Sequence, residues 1–240
     1  MPNMPAPRLY ERPFYKIGRY SFQFPWVVGQ QNNLTAAVNS LRRVDQRRPA
    51  LRSETQCIEH TLAEALRNRG FRVVVGYQPP VTGGLDVGEV DLLCHQDGVV
   101  LLLEVKSGFI RSTRHETWLH RTNTLRKAAR QLKRKHPIVR QALLSDQGLR
   151  TELELSETEW PAKLHAWVVD TSIEFDGETV DGFRVIAREV VEVALRDEKH
   201  YLRPLDLQDE YKIETLYPTG FSAQAFVQVI ESDDVWREVL

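Results

Sequence analysis

Apolar positions in this chain recur at helical spacing, then at strand spacing, then at helical spacing again between residues 54 and 144. Ile58, Leu62, Ala65 and Leu66 make the stripe of a helix over Glu54–Arg69, with Ser53 as its N-cap and Gly70 as its stop. Phe71–Tyr77 (FRVVVGY) reads as the first strand of a sheet. In GEVDLLCHQDGVVLLLEVKSG, residues 88–108, Val90, Leu92 and Cys94 alternate with Glu89, Asp91 and Leu93, and Gln96-Asp97-Gly98 supplies a hairpin turn. The run Val99–Leu103 follows without a polar break, as in a central strand covered on both faces. A long helix over Asn123–Leu144 carries Leu125, Ala128, Ala129, Leu132, Ile138, Val139, Ala142 and Leu143 inside, with Pro137 expected to kink or split it.

The flanks are less periodic. Residues 1–20 read as an irregular arm with a short strand near Phe14–Tyr20, and Phe22–Val28 is apolar enough to pack on something. Asn32 or Asn33 caps a helix of about Leu34–Val44, and Arg42, Arg43, Arg47, Arg48 and Arg52 follow in a proline-containing link that is either solvated or in contact with phosphates. Downstream come strands at Leu164–Val169 and Gly182–Ala187, a helix at Arg188–Glu198, a strand around Tyr211–Leu216 and an amphipathic helix at Ala223–Ile230. The expected fold is α/β, a mixed central sheet flanked by helices. It divides into an N-terminal arm and helix (1–52), a core (53–170) and an acidic extension (171–240) that completes the fold or forms an interface.

Chemistry enters at the end of the apolar run. Residues two apart on a strand share a face, so Glu104 and Lys106 project side by side, and the hairpin brings Asp91 within one pleat of Glu104. Buried carboxylates need a partner, and two of them beside a lysine suit a hard divalent ion such as Mg²⁺. A plain ion pair between Lys106 and Asp91 or Glu104 is the alternative. On the helix upstream, Glu59 flanks the buried stripe, whereas Glu64 falls on the polar face with His60, Arg67 and Asn68.

Charge sharpens this picture. Residues 1–149 hold 23 Lys and Arg against 12 Asp and Glu, while residues 150–240 hold 9 against 21, although the whole chain is near neutral. Arg126, Lys127, Arg130, Lys133, Arg134 and Lys135 give the long helix a one-signed polar face beside the acidic residues, as a phosphodiester substrate requires. Mutual neutralisation of the two halves is the competing account. Trp118 is read as a structural, buried side chain, with stacking on a base or sugar as the alternative. His115, His120 and His136 lie in the same basic region.

The pattern G-E-V-D, a hairpin of about a dozen residues and L-E-V-K, preceded by a helix with Glu59 and by Gly70-Phe71, resembles the PD-(D/E)xK nuclease superfamily. The spelling is most similar to the nuclease-related (NERD) and Holliday-junction-resolvase-like branches, over roughly Glu54–Val169. The proline usual before the aspartate is absent, Val90 standing there. The resemblance implies a restriction-endonuclease-like fold and a metal-dependent endodeoxyribonuclease. It further implies that Asp91, Glu104 and the Val105 carbonyl hold Mg²⁺ (Mn²⁺ substituting), that Glu59 assists directly or through water, and that Lys106 orients the attacking water. Gln131 and Glu89 are weaker site candidates.

Other chemistries find no pattern. There is no G-x-x-x-x-G-K-[ST] loop, no H-x-x-x-H or C-x-x-C pair and no serine in a nucleophile elbow. Cys57 and Cys94 sit on expected core elements and read as buried free thiols. No apolar run reaches membrane-spanning length and MPNMPAPRLYERPFYK lacks a signal-type apolar region, so a cytoplasmic chain without a membrane partner is expected. DNA is the expected partner, RNA being also admissible, with a homodimer or a larger complex as further options. The rival to a nuclease is a binding or assembly module that keeps the same fold with weak or no cleavage.

Overall fold

The computed structural model describes residues 14–23, 48–80, 87–108, 111, 113–156, 163–198 and 215–237. The expected helix over Leu34–Val44, the loop residues from Val81 to Gly84 and most of the expected strand at Tyr211–Leu216 lie outside them. Contacts divide the chain into a small unit, Met1–Ser53 with Phe109–Arg111, and a larger one, Glu54–Gly108 with Ser112–Leu240. In the small unit, β1 (Phe14–Ile17) and β2 (Tyr20–Gln23) form an antiparallel hairpin.

Helix α1 (Arg48–Asn68) starts earlier than its sequence signals suggest, so Ser53 is inside the helix and Pro49 stands near its start, where a missing N–H costs little. Its end is as expected: Gly70 takes φ +98°, and the Phe71 N–H donates to the Leu66 carbonyl five residues back, the Schellman closure. From there β3 (Arg72–Tyr77), β4 (Val90–Gln96) and β5 (Val99–Lys106) run as an antiparallel meander. Asp97 and Gly98 both take positive φ at the β4–β5 turn, the conformation that a two-residue hairpin demands.

Helix α2 (Arg114–Leu119) follows β5. Thr113 caps it, accepting from the Glu116 N–H, and its hydroxyl donates to the Glu116 carboxylate. A π-helical turn, His120–Leu125, joins α2 to α3 (Arg126–Ser145), and Pro137 lies inside α3 without ending it. Asp146 caps the short α4 (Gln147–Glu152). Strand β6 (Lys163–Asp170) then pairs in parallel with β5, and β8 (Phe183–Ala187) in parallel with β6. A two-residue strand, β7 (Thr179–Val180), turns into β8 through Asp181-Gly182, and α5 (Arg188–Arg196) and α6 (Ala223–Glu231) follow.

The result is α/β, a mixed six-stranded sheet in the order β3-β4-β5-β6-β8-β7. Residues 171–240 contribute β7, β8, α5 and α6 to it. Two hydrophobic layers cover the sheet. Ile58, Leu62 and Leu66 of α1 pack with Leu92, Leu101 and Leu103 and with apolar residues of α5 and α6 on one face. Ala128, Ala129, Leu132 and Val139 of α3 pack with Leu93, Val100 and Leu102 on the other. Every residue of β5 from Val99 to Val105 is buried, as a central strand requires. Of the two cysteines only Cys94 is buried; Cys57, expected in the core, is exposed on α1. Among the described residues no helix is long and apolar enough to cross a membrane.

Candidate active site

Strand alternation decides which groups meet. Val100 and Leu102 face α3, so Glu104 and Lys106 face the same side, and Asp91, in phase with Leu93, joins them from β4. The paired register of β4 and β5 runs from Gln96–Val99 to Leu92–Leu103; beyond it the Val105 N–H donates to Asp91 Oδ2 at 2.7 Å. A side-chain carboxylate thus continues the ladder and holds Asp91 between the strands. Lys106 Nζ lies 2.6 Å from Glu104 Oε1, donates to the Val105 carbonyl at 3.0 Å and stands 3.9 Å from Asp91 Oδ2. The three residues of the hairpin motif are therefore one cluster, Lys106 being its only partly exposed member of the strand β5.

A fourth member was placed elsewhere by the sequence reading. Lys135, expected on the solvent-facing basic side of α3, is 1% exposed, and its ammonium lies 2.5 Å from Glu104 Oε2 and 3.9 Å from Asp91 Oδ1. The reason is helical phase: Lys135 stands seven residues after Ala128, three after Leu132 and four before Val139, all buried. Arg126, Lys127, Arg130, Lys133 and Arg134 do point outward, Arg126 standing 3.6 Å from Asp181. Gln131, one turn before Lys135, is half-buried, and its Oε1 is enclosed without a hydrogen-bond partner among the described residues.

Glu59 belongs to the helix on the opposite face but to the same end of the sheet, because Thr55 Oγ1, one turn before it, lies 3.3 Å from Ser107 Oγ just past β5. Burial pushes the Glu59 carboxyl up to about 7, helped by Asp91, Glu89 and Glu104 and opposed by Lys106. Asp91 is raised to about 6, first by burial and then by Glu104, with Lys106, Lys135 and the Val105 N–H working against the rise. Glu89 is exposed and lies across Gly76, where an added Cβ would come within 2.6 Å of its carboxylate; Gly76 also takes φ +69°.

Two carboxylates, Asp91 and Glu104, face the Lys106 and Lys135 ammonium groups, and Glu59 stands near enough for Asp91 and Lys106 to act on its carboxyl. Hard oxygens of carboxylate and carbonyl type suit Mg²⁺. Among the described residues no group of three or more His, Cys, Asp or Glu side chains is placed to hold a metal ion; the oxygens the motif offers are those of Asp91, Glu104 and the Val105 carbonyl, and water or substrate would have to complete any shell.

Three residues escaped the sequence reading of this region as a unit. Asp170, fully buried at the end of β6, is the register partner of Lys106; His120 Nε2 lies 2.8 Å from its Oδ2, and the Ser172 hydroxyl donates to the same oxygen at 2.8 Å. This buried pair ties the π-helical turn to the strand end beside the cluster, and no local pattern announces it. Trp118, read as buried, is 58% exposed and stacks on His115 with ring centroids 6.0 Å apart. Comparison with protein-family models, with curated proteins and with solved structures finds no match to this chain.

Proposed function

We propose that this chain is a metal-dependent nuclease that hydrolyses DNA phosphodiester bonds, with a restriction-endonuclease-like sheet as its scaffold. The observation that carries the reading is the convergence of Asp91, Glu104, the Val105 carbonyl and Lys106 at one strand end, beneath a helix whose outward side holds Arg126, Lys127, Arg130, Lys133 and Arg134. Asp91, Glu104 and the Val105 carbonyl would hold Mg²⁺ or Mn²⁺, which supplies Lewis acidity and lowers the pKa of a bound water. Lys106, with one side open to solvent, orients the attacking water and steadies negative charge developing on the phosphate. Glu59, with a carboxyl raised to about 7, is suited to exchange a proton near neutral pH. The outward cations of α3 neutralise backbone phosphates on the substrate.

The test is cleavage of supercoiled plasmid and of linear single-stranded DNA with Mg²⁺ or Mn²⁺, beside EDTA and the variants Lys106→Ala and Asp91→Ala. Metal-dependent cleavage that both variants lose while remaining folded supports the reading; a variant that cleaves normally refutes it. A second reading, a nucleic-acid-binding or assembly module, is favoured by one observation: both Glu104 oxygens are already paired with lysine. Folded protein that binds DNA without cleaving it would select that reading.

A further inference from the structure

Lys135 is an anomaly of α3. It stands in the apolar stripe, where burial of an ammonium is unfavourable unless an anion meets it, and it meets Glu104 at 2.5 Å. With Lys106 on Oε1 at 2.6 Å and Lys135 on Oε2, both carboxylate oxygens of Glu104 are occupied, and Lys106 also holds the Val105 carbonyl. The oxygens that would hold a metal are thus each faced by a cation of the protein itself. A divalent ion approaching Glu104 competes with these ammonium groups for the same carboxylate, and charge repulsion favours moving one of them aside. Lys106 is positioned by the strand and open to water. Lys135 hangs from helix α3, and four residues before it, on the same side of that helix, Gln131 Oε1 is buried without a partner among the described residues.

We propose that Lys135 is a positioning residue that holds Glu104 in the metal-free site and is displaced by the divalent ion onto the side-chain carbonyl of Gln131. This rests on the nuclease reading for the presence of the metal, and on the geometry for the exchange. Two side chains outside the hairpin motif therefore set metal affinity, in opposite senses. Lys135→Met removes the competitor and leaves Glu104 under-compensated, which strengthens metal binding. Gln131→Leu removes the acceptor for the displaced ammonium, which weakens it. A purely structural role for either residue would weaken binding in both variants.

The experiment is calorimetric titration of the 240-residue chain with Mn²⁺, without nucleic acid, for the parent, Lys135→Met, Gln131→Leu and the double variant, with folding checked by circular dichroism. The expected result is affinity raised by about tenfold in Lys135→Met, lowered several-fold in Gln131→Leu, and in the double variant equal to that of Lys135→Met, because without the ammonium Gln131 has nothing to accept. Unchanged or weaker binding by a folded Lys135→Met overturns the proposal while leaving the nuclease reading intact. No Mn²⁺ uptake by the parent overturns both. If Lys135→Met does not fold, the folded Gln131→Leu variant decides: weakened Mn²⁺ binding supports the exchange, and unchanged affinity overturns it.

Discussion

Replacing Glu104 by Gln tests the electrostatics of the cluster without involving catalysis. The substitution keeps shape but turns one carboxylate oxygen into an NH₂ group, so one of the two ammonium groups loses its acceptor and meets a donor instead. Lys106 can relax toward solvent, being about one-fifth exposed, but Lys135 cannot. Removing one partner of a buried ion pair costs roughly 3–5 kcal/mol. Asp91 remains 3.9 Å from Lys135 and takes up part of that charge, which sets the expectation at the lower end, about 3 kcal/mol. For a protein of this size that loss lowers Tm by roughly 6–12 °C. Urea denaturation of metal-free protein should show the same loss as a lower midpoint with an unchanged slope. The double variant Glu104→Gln/Lys135→Met should recover most of it, since it removes the stranded charge. A loss below about 1 kcal/mol in Glu104→Gln, or no recovery in the double variant, would refute the claim that Glu104 is what keeps Lys135 buried and charged.

Three further outcomes follow from the same geometry. Because the Glu59 carboxyl is raised to about 7 from an unfolded value near 4.5, the native state binds the extra proton between those values, and its ionisation lowers stability as pH rises through that window; the Tm difference between the parent and Glu59→Gln should therefore shift against the parent from pH 5 to pH 8 in metal-free buffer, and a flat difference counts against the assignment. Neutralising Arg130, Lys133 and Arg134 together should leave stability within about 0.5 kcal/mol and reduce the salt dependence of DNA binding by roughly three phosphate contacts, with an unaltered salt slope telling against α3 as the substrate face. Trp118→Ala should weaken binding of single-stranded oligonucleotide, measured by fluorescence anisotropy, by roughly tenfold with little effect on duplex; equal affinity for the single strand would make the exposed indole irrelevant to stacking.

How legible the site was depended on distance along the chain. The pair Glu104 and Lys106 followed from period-two alternation, and Asp91 from a turn whose Asp-Gly signal is unambiguous, so register carried the argument across fourteen residues. Glu59 followed from helical phase. The same phase was available for Lys135, which falls in step with Leu132 and Val139; grouping it with its basic neighbours by residue type hid a signal that the spacing contained. Trp118 misled in the other direction, since a large aromatic is more often covered than not.

Asp170 and His120 had no such signal. Their meeting requires β6 to lie parallel to β5 with Asp170 beside Lys106, and a π-helical turn to deliver the imidazole across fifty residues. The sequence by itself determined the elements with strong periodicity, the hairpin and the α/β class, because those rest on local backbone preferences and on which positions must avoid water. Only the tertiary structure decided that Glu104 is shared by two lysines and that one of them comes from another layer, because a buried charge selects its partner by three-dimensional proximity in a low-dielectric interior, and that proximity is a property of packed elements rather than of neighbours along the chain.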